Sequence, residues 1–370
     1  MNLEERKRSD HSHTYALIMA GGTGTRFWPK SRLHRPKQLL KFFGGQSLLR
    51  ETALRILPLL PWSHIYVVTN QSYEPSIREE LPELPSANII LEPENKDTAA
   101  CIGLSAVRLS CVDSRAVMIC MPADHYISET DAFCRTVDQG VVLAGRKECL
   151  ITIGIPPTSP KTNFGYIKRG EQLDVDSLSG PVFMVDQFLE KPSRQRAMSF
   201  LKAGNYLWNS GIFIWQAGTI LKAIERYMPK LSAGLSKIKE FYGTSEDNKV
   251  TAEEYSKIAA MSVDYGIMER ATEVLVLPGH FQWEDLGSWS ALENILAPDS
   301  YGNVASGQHL GMDTSGCIID SEEKLVATIG LRDLIIINTN DAVLVCAKDR
   351  DQDIKMLVES LGAADYSKYR

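Results

Sequence analysis

Five short, uninterrupted apolar runs constrain the fold of this chain more than any other feature. They cover residues 15–20, 65–69, 87–91, 116–121 and 150–155. Continuous apolarity, as opposed to strict alternation, is typical of strands covered on both faces, as in a parallel sheet. Residues 47–57 and 97–110 lie between these runs and carry apolar side chains at helical spacing. The repeated order of strand and helix therefore predicts an α/β fold.

The rhythm of the chain changes after Gly180. Residues 182–192 predict a strand that stops at a proline, and residues 193–204 predict a helix closed by Gly204. Residues 206–228 predict a turn followed by a strand and a helix. The polar, lysine-rich residues 232–250 predict a surface excursion, and residues 250–271 predict a helix.

A second change comes at about residue 297, where short β-type runs separated by turn residues begin. Such runs suggest stacked strands, hairpins or a small β-solenoid, and residues 352–362 then predict a closing helix. We therefore divide the chain into three parts. They are a flexible N-terminal tail (1–14), a large α/β domain (15–296) and a small C-terminal β domain with a closing helix (297–370).

Composition and charge exclude several classes of protein. The 370 residues carry a formal net charge of -6, which does not fit a surface built to hold nucleic acid, because phosphate needs an excess of Lys and Arg. No run of about 18 apolar residues and no apolar signal segment is present, so we expect no membrane span and a cytoplasmic protein. The seven scattered cysteines predict free thiols rather than disulfides or a nucleophile.

A glycine-rich loop follows the first apolar run. Gly21, Gly22 and Gly24 would let backbone N–H groups approach an anion such as phosphate, because no Cβ blocks the approach. The spacing is neither the G-x-G-x-x-G of dinucleotide folds nor a P-loop, and a tight turn without a ligand is the alternative. Five cations come next, at Arg26, Lys30, Arg32, Arg35 and Lys37. If these five cations crowded one site, they would repel one another unless an anion lay between them, so the cluster favours an anion-binding site. The alternative interpretation is an exposed basic face without a ligand.

Two later segments carry acids at positions where a metal could bind. Asp124 follows an apolar run, at the strand end where ligands bind in open α/β sheets, and is a candidate Mg²⁺ ligand or else the N-cap of the next helix. Asp285 lies with Glu284 in an aromatic, glycine-containing turn and could complete the site, because Mg²⁺ usually takes only one or two protein carboxylates. The alternative is that the tryptophans of this turn are core and the acids face water.

Three further segments combine turn residues with groups that suit a sugar phosphate. Glu190 and Lys191 precede a proline, and Asn209 lies at a predicted glycine turn. Gly165 allows close backbone approach, and Tyr166 offers a ring for stacking. Ordinary turn chemistry explains each segment taken alone. The sequence contains no metal-ligand spacing of histidines and no nucleophile motif, so covalent catalysis has no support.

Eight segments occur in a characteristic order along the chain: LIMAGGTGTRFWPKSRLHRPKQ, EPENKDTAACIGLSA, MPADHYI, FGYI, FLEKP, WNSGIF, VDYGIME and WEDLGSW. Together they resemble the bacterial mannose-1-phosphate guanylyltransferases of the sugar-nucleotidyltransferase superfamily, over about residues 15–292 and more weakly to the end. The G-G-x-G-T-R part is shared across the superfamily, whereas W-P-x-S-R-x-x-x-P-K-Q is much more specific to the mannose branch.

This resemblance implies a Rossmann-like nucleotidyltransferase domain with a mixed, mostly parallel sheet and a small C-terminal left-handed β-helix domain. The implied reaction condenses GTP with α-D-mannose 1-phosphate to GDP-mannose and diphosphate by in-line attack, with Mg²⁺ as cofactor. We expect no isomerase domain of the kind found in longer relatives. We do expect a homodimer, because the exposed end of a short β-helix commonly associates. The alternatives are another sugar 1-phosphate or NTP, or a catalytically silent nucleotide-sugar-binding protein.

The resemblance also implies a role for each matching residue. The predicted catalytic residues are Arg26 and Lys37, which would hold phosphates, and Asp124 and Asp285, which would hold Mg²⁺. The predicted nucleotide-binding residues are Gly21, Gly22, Gly24, Thr25, Glu92 and Thr98. The predicted sugar-phosphate-binding residues are Gly165, Tyr166, Glu190, Lys191 and Asn209. The segment around Glu92 departs from the commoner N-T-A-P form at Asp97 and Ala100, which bears on base selectivity.

Overall fold

The large sheet and the smaller β domain belong to two compact units. The structure is a computed structural model and describes residues 10–42, 45–175, 178, 180–363 and 366–370. The sheet unit consists of the residues up to Gly21, Thr52–Ala123 and Ile127–Trp283. The β-helix unit consists of Gly22–Glu51, Asp124–Tyr126 and Glu284–Arg370.

The strands and helices of the described residues are numbered in chain order. The strands before residue 200 are β1 (Thr14–Ala20), β2 (Ile65–Asn70), β3 (Ile89–Glu92), β4 (Val117–Pro122), β5 (Tyr126–Ile127), β6 (Leu150–Ile155), β7 (Tyr166–Leu173) and β8 (Val182–Leu189). The later strands are β9 (Tyr206–Gln216), β10 (Val274–Pro278), β11 (Trp283–Glu284), β12 (Val304–Ser306), β13 (His309–Met312), β14 (Ile318–Ser321), β15 (Val326–Ile329), β16 (Leu334–Asn338) and β17 (Val343–Ala347). The α-helices are α1 (Leu48–Ile56), α2 (Glu74–Glu80), α3 (Asp97–Val112), α4 (Thr130–Arg146), α5 (Arg194–Ala203), α6 (Ala217–Tyr227), α7 (Pro229–Phe241), α8 (Asp247–Ser256) and α9 (Ile354–Ala363).

Nine strands of the described residues form the sheet of the sheet unit, in the order β3-β2-β1-β4-β9-β6-β10-β8-β7. Strands β3, β2, β1 and β4 are parallel neighbours, as are β6 and β10, whereas β9 and β8 run against the strands beside them. The other seven strands therefore share one direction. The five apolar runs correspond to β1, β2, β3, β4 and β6. The predicted α/β fold with a mixed, mostly parallel sheet is confirmed.

Helices α7 and α8 replace the surface excursion predicted at residues 232–250. Leu231, Leu235 and Ile238 repeat at helical spacing and are buried in the core that also holds residues of α3 and α6. The lysines of this segment lie on the exposed face of the helix. Because the prediction considered only the polar composition, it missed the amphipathic pattern. The helix predicted over residues 250–271 is also wrong in part, because α8 ends at Ser256 and a π-helical turn follows at Asp264–Met268.

The segment WNSGIF predicts a glycine turn, but in the structure this segment lies within strand β9. Gly211 has a φ of 68°, a value that favours glycine, yet the strand continues from Tyr206 to Gln216. Strands β4 and β6 pair with it on its two sides, and a register shift between Thr152 and Gly154 of β6 absorbs the local distortion. Bulges of this kind can redirect a side chain out of the regular alternation of a strand.

The flexible tail is predicted for residues 1–14, of which residues 1–9 lie outside the described part of the chain. Thr14 is the first residue of β1. His13 Nδ1 lies 2.6 Å from Asp113 Oδ2, and His11 Nε2 lies 3.1 Å from Asp138 Oδ1. His11 and His13 thus contact acids of the sheet unit, and the flexibility of the tail stays a prediction.

Parallel strands β12, β14 and β16 form the stack of the β-helix unit, and β17 pairs with β16 in the antiparallel sense. Strands β13 and β15 form a second parallel pair of the same repeat. A small β-solenoid is therefore the right choice among the three predicted arrangements. Its isoleucines Ile318, Ile335 and Ile337 share a buried core with Phe27 and Trp289. The predicted boundary at residue 296 treats each domain as one continuous stretch of chain. The β-helix unit is not continuous, since residues 22–51 and 124–126 also belong to it. The boundary itself stays a prediction.

Among the helices in the described ranges, none has both the length and the apolar character that crossing a membrane requires. The seven cysteines all lie in the described ranges and are free thiols, five of them buried.

Candidate active site

The part of the glycine loop from Gly22 onward belongs to the β-helix unit. Gly24 has a φ of 63°, and a 3-10 turn over Thr25–Phe27 follows it. A Cβ at Gly24 would collide with the Cβ of Lys37, so the fold requires glycine at this position. Gly22 is exposed, and a Cβ added there would have no atom of the described residues within 4 Å. Gly24 thus serves the fold, whereas Gly22 leaves open space in which an anion could approach the backbone.

The five cations of this segment fall into two groups. Three of them pair with acids of the C-terminal residues: Lys30 with Asp320 at 2.6 Å, Arg32 with Asp341 at 2.8 Å and Arg35 with Glu322 at 4.0 Å. Arg26 is exposed and forms no ion pair with any described residue, and Lys37 is buried. Neither sequence alternative, a single crowded site or an exposed basic face, is therefore right. Three cations thus pair with acids of the C-terminal residues, Lys37 pairs with Asp124 at 2.8 Å, and Arg26 has no ion pair among the described residues.

Lys37, Asp124 and Asp285 meet in the β-helix unit, and we call them the lysine–aspartate cluster. Lys37 Nζ lies 2.8 Å from Asp124 Oδ2 and donates to the backbone carbonyl of Asp285 at 2.6 Å. The side chain of Lys37 is 8% exposed and that of Asp124 is 32% exposed. Asp285 Oδ1 accepts a hydrogen bond from the N–H of Gly287 at 3.0 Å, which is ordinary Asx-turn chemistry. Three predicted catalytic residues from distant parts of the sequence are thus brought together.

The two aspartates of this cluster have opposite pKa shifts. Burial raises the pKa of Asp124, but the ammonium of Lys37 and the neighbouring His125 more than offset that effect, so the pKa lies below its usual value. Burial raises the pKa of Asp285, Lys37 offsets only part of the rise, and the negative charge of Asp124 adds to it. The cluster therefore holds one neutralised carboxylate and one that lacks a full counter-charge. Such an arrangement favours the approach of a further cation.

Glu92 ends β3 in the sheet unit and faces the start of the glycine loop. A Cβ at Gly21 would lie 3.7 Å from Glu92 Oε2, and Glu92 Oε1 accepts a hydrogen bond from the hydroxyl of Tyr255. Burial raises the pKa of Glu92 to about 7, although hydrogen bonds from Tyr255 and Cys101 oppose the rise. A buried acid beside the first glycine of the loop is a candidate for reading the hydrogen-bonding edge of a base.

Residues Asp97 and Thr98 open helix α3. Asp97 has a φ of 66°, a region that Asn and Asp tolerate better than most residues, so the exchange of the usual Asn for Asp preserves the backbone. Asp97 Oδ1 accepts from the N–H of Thr98 at 2.7 Å. Thr98 Oγ1 accepts from the N–H of Val263 at 2.8 Å, which leaves its hydroxyl hydrogen to donate. Both residues thus shape the helix start, where negative charge is favourable.

Asn209, Glu190 and Asp264 form a second group, in the sheet unit, which we call the amide–carboxyl cluster. Asn209 Nδ2 donates to Asp264 Oδ1 at 2.8 Å, and the N–H of Asn209 donates to the carbonyl of Gly165 at 2.8 Å. A Cβ at Gly165 would collide with Glu190 Oε2. That oxygen is buried and has no hydrogen-bond partner among the described residues. A buried carboxyl oxygen in this state can accept a hydrogen bond from a ligand hydroxyl.

The acids of the amide–carboxyl cluster have raised pKa values. Burial raises the pKa of Glu190 to about 7, and the charge of Asp264 adds to the rise while Lys191 opposes it. Burial likewise raises the pKa of Asp264 to about 6. Lys191 Nζ lies 3.4 Å from Glu190 Oε1, but the lysine side chain is 58% exposed and water screens the pair. With a pKa of about 7, Glu190 carries a proton in part of the molecules at neutral pH and can then donate to a hydroxyl group as well as accept from it, whereas Asp264 is mostly ionised at that pH and accepts only.

Tyr166 does not take its predicted role. The residue is fully buried as the first position of β7, and its ring centroid lies 5.3 Å from that of Phe200. Its hydroxyl donates to the carbonyl of Lys161 at 2.8 Å. The prediction that its ring stacks on a ligand is therefore wrong, because the side chain lies on the core side of the strand.

Sequence reasoning assigns no role to Asp264 or Tyr255, although both contact predicted site residues. Asp264 belongs to VDYGIME, one of the eight segments that carry the resemblance, so a signal for it exists in the sequence. Tyr255 lies in α8 without any motif to mark it. Its contact with Glu92 depends on how that helix packs in the sheet unit, which residue spacing does not reveal.

The chain is similar to known proteins along almost its whole length. A family described as Nucleotidyl transferase matches residues 15–300, and a MannoseP isomerase/GMP-like beta-helix domain matches residues 307–361. A Klebsiella pneumoniae protein named mannose-1-phosphate guanylyltransferase is 38% identical over 96% of this chain and 75% of its own length. This chain belongs to the mannose-1-phosphate guanylyltransferase family.

Two further members or neighbours of the mannose-1-phosphate guanylyltransferase family support the assignment. The protein of that name from Escherichia coli (strain K12) is 35% identical over 97% of this chain and 76% of its own length. A crystal structure from Thermus thermophilus, described as mannose-1-phosphate geranyltransferase, is 32% identical and covers 94% of this chain and 99% of that chain with a TM-score of 0.85. The predicted family, with its nucleotidyltransferase fold and β-helix, is confirmed.

Proposed function

We propose that this chain converts GTP and α-D-mannose 1-phosphate to GDP-mannose and diphosphate. A phosphate oxygen of the sugar phosphate attacks the α-phosphorus of GTP, the bond from that phosphorus to the bridging oxygen breaks, and diphosphate leaves. The observation that carries the proposal is the lysine–aspartate cluster, in which a buried ammonium pairs with the carboxylate of Asp124 and donates to the backbone carbonyl of Asp285, in a chain of this family. Because both substrates are anions, catalysis depends on positioning and on neutralising charge.

Positive charge from the protein is the first requirement of this reaction. Arg26 is exposed, and no acid of the described residues neutralises it, so its planar guanidinium suits a phosphate of GTP. Lys37 is held by Asp124 and by the carbonyl of Asp285, which fixes its ammonium in place before a substrate arrives. Both cations would reduce repulsion between the substrates and stabilise the departing diphosphate. A general base is not required, because the attacking phosphate oxygen is already ionised.

The donor set of the lysine–aspartate cluster fits a bound Mg²⁺. This ion prefers oxygen ligands and usually takes one or two protein carboxylates, with phosphate oxygens and water completing its shell. Asp124 and Asp285 would hold it, and the raised pKa of Asp285 marks a position where added positive charge is favourable. Within the described residues, no group of three or more His, Cys, Asp and Glu side chains could hold a metal. Substrate phosphates would therefore complete the site, and the ion would supply Lewis-acid stabilisation of their charge.

The sheet unit would supply the groups that recognise sugar and base. Glu190 Oε2 and the amide of Asn209 are suited to hydroxyl groups of the sugar, and Gly165 leaves room beside them. Glu92 in its ionised form would accept from the neighbouring N1–H and N2–H groups of guanine, a donor pair that adenine lacks. Sites that hydrogen-bond a substrate discriminate strongly against analogues without the matching group.

Diphosphate release, measured over a matrix of NTPs and sugar 1-phosphates with Mg²⁺, tests the proposal. We expect GTP with mannose 1-phosphate to give the highest kcat/KM, by roughly tenfold or more over any other pair. A different best pair would make the chain a nucleotidyltransferase of another specificity. No release with any pair would indicate a silent nucleotide-sugar-binding protein. Asp285→Asn, prepared identically, controls for release by contaminating enzymes.

We also propose that the protein is a cytoplasmic homodimer that associates through the β-helix unit. Strands β13 and β15 expose Leu310, Met312 and Ile329, with exposed fractions of 65%, 63% and 71%. A row of exposed apolar side chains favours association. Light scattering should give a dimer for the wild type and a monomer for Ile329→Asp, and a monomeric wild type would contradict this proposal. The free thiols fit a reducing compartment.

A further inference from the structure

The turn that follows α8 carries two acids that the proposed reaction does not use. Residues Asp264–Met268 form a π-helical turn, a rare conformation that is frequent at functional sites. The N–H of Glu269 donates to the carbonyl of Asp264 at 2.9 Å, which is the i to i+5 bond of this turn. Residues five apart diverge by about 140° on an α-helix, whereas a wider turn brings them to the same side. The π turn therefore lets Asp264 and Glu269 face one region.

Each of these acids contacts a residue that is proposed to bind the sugar. Asp264 Oδ1 accepts from Asn209 Nδ2 at 2.8 Å, and Glu269 Oε1 accepts from the backbone N–H of Glu190 at 2.9 Å. Asn209 belongs to β9, whereas Glu190 directly follows β8. One turn thus holds two proposed ligand groups that come from different parts of the sheet unit.

The contacts of Asn209 define the orientation of its amide. Its Oδ1 accepts from the N–H of Gly211 at 3.1 Å and from the hydroxyl of Thr152 at 3.3 Å. Its Nδ2 donates one of two hydrogens to Asp264. Among the contacts of the described residues, this leaves the second N–H of the amide to donate to a ligand. A flipped amide would instead present its oxygen.

Asp264 and the backbone N–H of Gly211 select the observed orientation from opposite ends of the amide, because the N–H can only donate and therefore requires the amide oxygen. An ionised carboxylate only accepts hydrogen bonds, so it can face the nitrogen of the amide and not its oxygen. The hydroxyl of Thr152 can accept as well as donate and therefore selects more weakly. Hydrogen bonds to an ionised group are also roughly twice as strong as neutral ones. Glu190, Lys191 and Asp97 are the other charged groups whose fields reach these acids.

We propose that Asp264 and Glu269 are positioning residues for the sugar phosphate, which orient the amide of Asn209 and the backbone at Glu190 toward its hydroxyl groups. This inference rests on the proposed function of the amide–carboxyl cluster. It gives the segment VDYGIME a role: the five-residue separation of its acids and its π turn together serve the sugar site.

Steady-state kinetics of Asp264→Asn test the inference. We expect the KM for mannose 1-phosphate to rise roughly tenfold, because an asparagine at position 264 can present its oxygen or its nitrogen to Asn209 and no longer selects one orientation, while the KM for GTP changes less than about twofold. Tyr265→Phe is the matched control, since Tyr265 is exposed on the same turn and should leave both KM values unchanged. Equal rises in both KM values, or a fall in melting temperature that accounts for the loss, would overturn the positioning role.

Two further comparisons separate positioning from mere structural support. In an Asn209→Ala background, Asp264→Asn should have little further effect on the KM for mannose 1-phosphate, because both changes remove one interaction. Additive effects would contradict action through Asn209. Glu269→Gln can still accept from the N–H of Glu190 and should keep the wild-type KM, whereas Glu269→Ala should raise it. An identical loss in both Glu269 variants would contradict the role of this hydrogen bond.

Calorimetric binding of GDP-mannose to the wild type and to Asp264→Asn separates this inference from the proposed function. We expect roughly tenfold weaker binding to the variant. Absence of turnover in the wild type would contradict the proposed function. Equal affinity of the two proteins for GDP-mannose would contradict the positioning role, whether or not the wild type turns over.

Discussion

The lysine–aspartate cluster and the amide–carboxyl cluster both bring acids together, but they hold charge in different ways. In the first, a buried ammonium keeps the pKa of Asp124 below its usual value. In the second, burial raises the pKa of Glu190 to about 7 and that of Asp264 to about 6, and the nearby Lys191 is largely exposed to water. A fixed positive charge suits phosphate and metal, whereas a buried acid such as Glu190, which can retain a proton near neutral pH, suits hydroxyl groups. The difference supports separate tasks for the two clusters.

The largest expected effect comes from removing the charge of Asp285. Asparagine at this position can still accept from the N–H of Gly287, so the turn is kept while a proposed metal ligand is weakened. We expect Asp285→Asn to lower kcat on the order of 10³-fold with an unchanged melting temperature. Diphosphate release measures the rate, and scanning calorimetry measures the stability. A turnover close to wild type would exclude Asp285 from the reaction.

Substitutions of Arg26 and of Lys30 should distinguish a positive charge that serves the reaction from one that stabilises the fold. Lys30 is buried against Asp320 at 2.6 Å, whereas Arg26 is exposed. Lys30→Ala should lower the free energy of unfolding by about 3 kcal/mol, because it leaves Asp320 buried without its partner. Arg26→Ala should leave stability unchanged and lower kcat/KM for GTP by roughly 100-fold. Urea unfolding and diphosphate release check the pair, and equal loss of stability in both variants would contradict the division.

Asp124 should contribute more to stability than Asp285, although both are proposed metal ligands. Asp124→Ala leaves the buried ammonium of Lys37 with the carbonyl of Asp285 as its remaining short contact in the described part of the chain. We expect the free energy of unfolding of this variant, measured by urea titration, to be about 2 kcal/mol lower than that of wild type. Asp285→Ala removes an acid with a raised pKa and should cost little stability. The reverse ranking would contradict the assignment of Lys37 to Asp124.

The smallest expected effect is a pH-dependent change in stability at Glu190. Its folded-state pKa of about 7 is above the usual value, so the folded protein binds the proton more tightly than the unfolded chain. This stabilisation is complete below about pH 4.5 and is lost as pH rises through about 7. Glu190→Gln removes the cost of the buried charge and should stabilise the protein by about 1 kcal/mol at pH 8, with no gain at pH 4.5.

Thermal unfolding of Glu190→Gln at several pH values checks this prediction. Asp186→Asn is the matched control. Asp186 is an exposed acid of β8, four residues before Glu190, which directly follows that strand. A gain that is larger at pH 4.5 than at pH 8 would contradict the raised pKa of Glu190.

Much of the fold could be predicted from the sequence, because strands covered on both faces leave an unmistakable apolar run. Residues 15–20 and 150–155 are examples, and they form β1 and β6. Prediction failed where one face of an element is polar. Residues 232–250 have lysines on the outside of α7, and Leu231, Leu235 and Ile238 carry its buried face. The prediction that the ring of Tyr166 stacks on a ligand failed for a related reason, since residue type alone does not tell which side of a strand faces the core.

The candidate site could be predicted in part, because motif residues recur in a known order. Lys37, Asp124 and Asp285 do meet, as the resemblance implies. Spacing did not reveal that Lys30 pairs with Asp320, since such partners lie almost 300 residues apart and depend on the tertiary fold. It also did not reveal Asp264, whose contact depends on a π turn that hydrophobic periodicity does not indicate.

Steady-state kinetics of Asp285→Asn and Asn209→Ala, measured side by side with wild type, test the separate tasks of the two clusters most directly. Mg²⁺, GTP and mannose 1-phosphate are varied in turn. We expect Asp285→Asn to lower kcat and to raise the Mg²⁺ concentration needed for half-maximal rate, with little change in the KM for mannose 1-phosphate. We expect Asn209→Ala to raise that KM roughly tenfold and to leave the Mg²⁺ dependence unchanged. If both variants changed the same parameter, or if their effects were exchanged, the two clusters would not serve phosphate and sugar separately.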